Sequence, residues 1–130
     1  MEPRIDFSSL EWMEWADVGT ARAKTALIPG TRIRIIQFSP GFEQTGWCDK
    51  DHVGYVLEGR METQFEDGRT IVYSEGDGIV IPGGHRHRSK NAGDDNVTLF
   101  VIERLGHGPS ALPALEAAAE ETGEESPPES

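Results

Sequence analysis

The run Gly78-Ile79-Val80-Ile81 stops abruptly at Pro82-Gly83-Gly84, and that stop constrains the fold more than any other feature of the chain. A short run rich in β-branched residues reads as a buried strand. Proline cannot donate to a sheet ladder, and two glycines open backbone angles that other residues avoid. The same alternation of short β-prone run and turn recurs along the sequence. Pro29-Gly30 suits the central positions of a type II turn between two strands over residues 21–39. Within the second of these, Arg32-Ile33-Arg34-Ile35 alternates, which puts the isoleucines on one face. Ser39-Pro40-Gly41 ends it. His52 to Leu57 and Met61 to Phe65 flank Glu58-Gly59-Arg60 as a hairpin. Asp67-Gly68 turns the chain into Thr70 to Tyr73, and the polar stretch 92–96 precedes a last strand, Val97 to Ile102. So many short strands at close spacing predict an all-β sandwich or barrel spanning about residues 10–105.

A length of 130 residues allows one domain with one core. No apolar run approaches a membrane span, and Met1 to Asp6 lacks the basic-then-apolar pattern of a signal peptide. With one cysteine, Cys48, no internal disulfide forms. A cytoplasmic location is the resulting expectation. Net charge is −11; the six glutamates after Arg104, with no Lys or Arg among them, supply more than half of it. That balance disfavours nucleic acid and anionic membranes as partners. Residues 107–130 read as an acidic tail, with an Ala/Glu/Leu-rich stretch able to form a short helix and then disorder, dispensable for folding. Near the start, Trp12, Met13 and Trp15 form an apolar cluster among acids. Such a cluster packs on the barrel or at a subunit contact, and a homodimer is expected.

His85 and His87 follow the Pro82–Gly84 turn two residues apart, so on an extended chain both rings share a face. From composition alone they are as readily a solvated basic turn as a ligand pair. The register is more telling. Gly76, Pro82, Gly84, His87 and Asn91 fall at the five positions of the second motif of the cupin family, which this stretch closely resembles. The resemblance implies a double-stranded β-helix, or jelly-roll, barrel, with His87 as a metal ligand inside it. His85 is not a motif position and is retained as a pocket candidate only.

The family's first motif runs Gly, five residues, His, one, His, three or four, Glu, six, Gly. Gly59 looks like its end, and sixteen residues separate Gly59 from Gly76. Counting back, His52 occupies the glutamate position. The histidine positions fall on Cys48 and Gly46, or on Trp47 and Thr45; counted from Gly41 they fall on Trp47 and Asp49. The first motif is therefore degenerate while the second is intact. Cys48 and His52, four apart, face the same side of an extended segment. In cupins that segment lies beside the second-motif histidine, so Cys48, His52 and His87 emerge as a candidate metal set with an open position. Zn, Fe, Ni, Mn or Cu are candidate divalent ions. Trp47, Tyr55 and Asp49 are further pocket candidates. Two readings stand: a metal-dependent enzyme of dioxygenase, isomerase or lyase type acting on a small polar molecule, or a non-catalytic cupin that binds or senses a small ligand without metal.

Overall fold

The computed structural model describes residues 3–105. The acidic tail expected over residues 107–130 lies outside the described residues. After a short 3₁₀ turn at Phe7–Ser9, nine strands follow: β1 (Met13–Asp17), β2 (Gly19–Ile28), β3 (Thr31–Phe38), β4 (His52–Glu58), β5 (Arg60–Phe65), β6 (Thr70–Ser74), β7 (Gly78–Ile81), β8 (His87–Asn91) and β9 (Val97–Arg104). All pairings are antiparallel. One sheet has the order β1-β2-β3-β9-β4-β7 and the other β6-β5-β8. This is the all-β architecture that the turn spacing implied, in the jelly-roll form that the family resemblance implied. Among the described residues, no helix is long and apolar enough to cross a membrane.

Strand alternation decides what faces the lumen. On β9, Val97, Leu99 and Val101 are buried, and Glu103 continues the same face. On β3 the inward positions are Ile36 and Phe38, in step with Arg32 and Arg34. The isoleucines at 33 and 35 share a face as expected, but it is the outer one. The arginine face turns inward because Arg32 lies directly opposite Glu103 in the β3–β9 ladder, and a buried carboxylate needs cationic partners. Phe38 stacks on Phe42 with ring centroids 4.6 Å apart. Val56 and Met61 seal the lumen from β4 and β5. The hairpin between them depends on Gly59, whose φ is +87°, and where a Cβ would sit 2.5 Å from the Asn96 carbonyl.

The segment between β3 and β4 is laid between the two sheets. Isolated bridges join Val18 to Glu43, Glu43 to Lys90, and Cys48 to His87. Gln44 donates its N–H to the Ser89 carbonyl at 3.0 Å, and its side-chain oxygen accepts from the Ser89 N–H at 3.1 Å. The segment that carries the degenerate first motif is thus fixed across β8, which carries the intact second one.

Candidate metal centre

Cys48 and His87 sit directly opposite one another. Cys48 N–H donates to the His87 carbonyl at 2.8 Å, and His87 N–H donates back to the Cys48 carbonyl at 3.0 Å. His52 opens β4 with its ring directed inward, as its even spacing from buried Val56 requires. Cys48 Sγ and His52 Nε2 are 3.6 Å apart, and the His52 and His87 rings meet edge to face at 5.0 Å. One ligand atom from each of Cys48, His52 and His87 lies within 4.8 Å of the others.

Each imidazole is oriented by its other nitrogen. His87 Nδ1 lies 2.9 Å from the His85 carbonyl oxygen, so a proton held there leaves Nε2 as an acceptor. His52 Nδ1 lies 2.9 Å from Glu103 Oε2. A carboxylate or carbonyl behind a histidine is the usual support of a metal-binding ring. Glu103 itself is fully buried and receives Arg32 Nε on Oε1 and Arg34 Nη2 on Oε2, each at 2.7 Å. Its carboxyl is held down to about 2: burial opposes the charge, but the hydrogen bonds from His52 and Arg34 outweigh it. Burial likewise opposes the charged forms of Cys48 and His52. Their mutual hydrogen bond, with His87 acting on the thiol and Glu103 on the ring, still draws the thiol down to about 5 and lifts the imidazole to about 9.

One thiolate and two imidazoles form a donor set that suits zinc, and also iron or copper. Ligand atoms bound at about 2.0–2.3 Å each around one ion span roughly 4 Å, the scale of the separation found here. The residues therefore fit a divalent ion with an open position toward the lumen.

The cavity behind these ligands has a volume of about 310 Å³, at the small end of ligand pockets. Its walls include Ile36, Phe38, Phe42, Met61, Leu99 and Val101, with Arg34, Gln44 and Ser89 as polar points and Trp15, Asp17 and Trp47 also lining it. The expectation of a small polar ligand thus meets a lumen that is largely apolar. Trp47 lies against the Arg88 guanidinium, 4.4 Å from its ring centroid. Three residues expected in the pocket lie elsewhere. Tyr55 is 47% exposed on the outer face of β4, because His52 and Val56 take the inward positions and an odd neighbour must point out. Asp49 is exposed, and its backbone carbonyl accepts the Gly84 N–H at 2.9 Å. His85 likewise turns its side chain outward, toward a surface hollow beside Phe65 and Arg69; its backbone oxygen alone serves the site.

Glu103 and Arg34 escaped sequence reasoning. The signal was present: Glu103 continues the even alternation of Val97, Leu99 and Val101 and therefore falls at a lumen position. Trp15, expected to pack on the barrel or at a subunit contact, lines the cavity while remaining 39% exposed.

Comparisons with known proteins agree with this architecture. A family model described as a cupin domain matches residues 47–103. Over 57 residues the chain is 39% identical to polyketide synthase CurC of Streptomyces cyaneus, covering 43% of this chain and 36% of that protein. The chain thus spans little more than a third of the length of the curated relative it matches. The polyketide cyclase RemF from Streptomyces resistomycificus superposes with a TM-score of 0.68 at 19% identity, over 84% of this chain and 83% of that one. A predicted oxalate decarboxylase from Thermotoga maritima gives 0.67 at 16% identity, over 78% and 98% of the two chains. KdgF from Halomonas sp. gives 0.60 at 23% identity, over 75% and 90%. The structural likenesses speak for the fold, and the family model for the segment that builds the site: residues 47–103 match a cupin domain.

Proposed function

We propose that this cupin is a metal-dependent enzyme whose Cys48, His52 and His87 hold one divalent ion, with zinc favoured by the thiolate, and whose substrate is a flat, mainly apolar molecule bearing carbonyl or hydroxyl oxygens. The observation that carries the reading is the convergence of the three donors within 4.8 Å, with both imidazoles oriented from behind by Glu103 and the His85 carbonyl. When bound, the ion would supply Lewis-acid polarisation of a substrate oxygen. The chain's own residues supply the rest. The apolar walls displace water from the bound molecule and lower the local dielectric. Ser89 and Gln44 offer hydrogen bonds at the wall. Trp47, stacked under Arg88, gives the entrance a rigid aromatic face suited to a planar ligand.

The likeness to a protein named as a polyketide synthase and to a polyketide cyclase favours a poly-carbonyl substrate, and with it a ring-closing or dehydrating step rather than an oxidation. A second reading, a cupin that binds a small ligand without metal, draws support from the two histidine positions of the first motif that hold no histidine. Metal analysis of tag-free protein separates the two. Stoichiometric zinc lost in His87→Ala and strongly reduced in His52→Ala, but kept in His85→Ala, is the expected outcome. Equal metal in wild type and His87→Ala would end the proposal.

A further inference from the structure

Arg34 faces the cavity from β3 and is tied to Glu103 by one terminal nitrogen only, Nη2 to Oε2 at 2.7 Å. Its Nε is buried and, among the described residues, is the one buried side-chain polar atom without a hydrogen-bond partner. Buried polar atoms in folded proteins are overwhelmingly paired, and an exception calls for a reason. Arginine normally meets a carboxylate with two parallel bonds. Here the carboxylate's second oxygen is taken by Arg32 Nε at 2.7 Å, and the oxygen that Arg34 does reach is shared with His52 Nδ1 at 2.9 Å. Two guanidinium groups therefore stand against one carboxylate. Arg32 is a quarter exposed and open to solvent, whereas Arg34 belongs to the cavity wall.

We infer that Arg34 is a specificity-determining residue that binds an oxyanion of the ligand, a carboxylate or an enolate, beside the Cys48-His52-His87 cluster. The chemistry fits the place. With two guanidinium groups sharing one carboxylate, Arg34 leaves uncompensated positive charge at the cavity wall, and in a low-dielectric lumen that charge attracts an anion more strongly than it would in water. Arg34 and His52 meet on the same oxygen of Glu103 and line one cavity, so a ligand with one oxygen at the cluster can present a second, anionic group to Arg34. The inference deepens the proposed function and rests on it for the kind of substrate, not for the charge.

The test uses the full chain, both zinc-loaded and chelator-treated, with 2-naphthoate and its uncharged isostere 2-naphthamide as probes in titration calorimetry. In wild type the anion binds about tenfold or more tightly than the amide, and the preference survives removal of zinc. In Arg34→Gln it falls to within twofold. Arg34→Lys keeps the charge beside Glu103 and guards against a misfolded glutamine variant. Lysine has one nitrogen, which the Glu103 pair uses, so the preference falls there too; Arg32→Lys retains it. No anion preference in wild type, or a preference unchanged in a folded Arg34→Lys, overturns the inference. A preference that requires zinc and ignores Arg34 belongs to the ion: it overturns the role of Arg34 while leaving the metal reading standing. Absence of zinc from the protein, with an anion preference that still depends on Arg34, does the reverse.

Discussion

Glu103→Gln isolates the charge at the back of the site from its shape. The side chain is fully buried and accepts from Arg32, Arg34 and His52 at 2.7, 2.7 and 2.9 Å. Glutamine has nearly the same volume, so no cavity opens. It removes the negative charge and turns one acceptor into an NH₂ group facing an N–H donor. Removing one partner of a buried ion pair costs roughly 3–5 kcal/mol. The two arginines are 27% and 19% exposed, so solvent recovers part of their loss, and the lower end of that range, about 3 kcal/mol, is expected. Against a typical total of about 5–15 kcal/mol this is severe, and for a barrel of this size it lowers Tm by on the order of 15 °C. Urea unfolding followed by tryptophan fluorescence measures it. A second readout separates the site from general stability: without its carboxylate His52 loses orientation and basicity, and zinc affinity falls roughly 10–100-fold. A variant that loses under about 1 kcal/mol and binds zinc within about twofold of wild type would show that Glu103 does not organise the site.

Three further outcomes follow from the same geometry. Zinc must displace the proton of His52, whose pKa is lifted to about 9, so zinc affinity should keep rising from pH 6.5 to about 9, where an ordinary imidazole would already have levelled off; a plateau above pH 7 in competition titrations contradicts this. Glu103, held down to about 2 from an ordinary value of 4.5, contributes stability that is present above pH 4.5 and lost as pH falls toward 2, so wild type should lose more Tm than Glu103→Gln across that acid window. On the outer face of the larger sheet, Ile35, Phe100 and Tyr55 form one apolar row, and Ile33, Ile102, Val53 and Val80 a second. A homodimer is proposed through this face rather than through the Trp12–Trp15 segment. The double variant Tyr55→Arg/Ile102→Arg should be monomeric by light scattering at micromolar concentration, and a monomeric wild type would refute the proposal.

The fold was legible because its signals are local. Each turn carries its own chemistry, from Pro29-Gly30 to Pro82-Gly83-Gly84, and the runs between are too short for helices. The strand at β8 is different. His87-Arg88-Ser89-Lys90-Asn91 has no apolar alternation, and its extended form comes from pairing with β5 and from the Cys48 bridge. Parity along β4 was also available: once His52 faces the lumen, Tyr55 cannot. What no local pattern contains is the register between β3 and β9. Arg32 and Glu103 are 71 positions apart, and only the ladder sets one opposite the other.

That register also accounts for how a site survives without the first-motif histidines. The family pattern brings three histidines and one glutamate to an ion, one negative charge in all. Here His52 stands where the glutamate would, and Cys48, set opposite His87, returns the single negative charge as a thiolate. Exchanging a carboxylate for an imidazole next to a cysteine leaves a thiolate and an imidazolium paired with each other, so an ion must displace the proton on His52 Nε2. Glu103, held at 2.9 Å from Nδ1, keeps the other proton on the nitrogen away from the cluster, so the nitrogen that is freed is Nε2, which faces Cys48 Sγ. The charge offered to an ion is unchanged, one donor is removed, and sulfur replaces oxygen. Such a set favours softer ions over manganese or magnesium and leaves more of the ion's coordination sphere to the ligand, which suits polarisation of a bound carbonyl better than a closed structural site would.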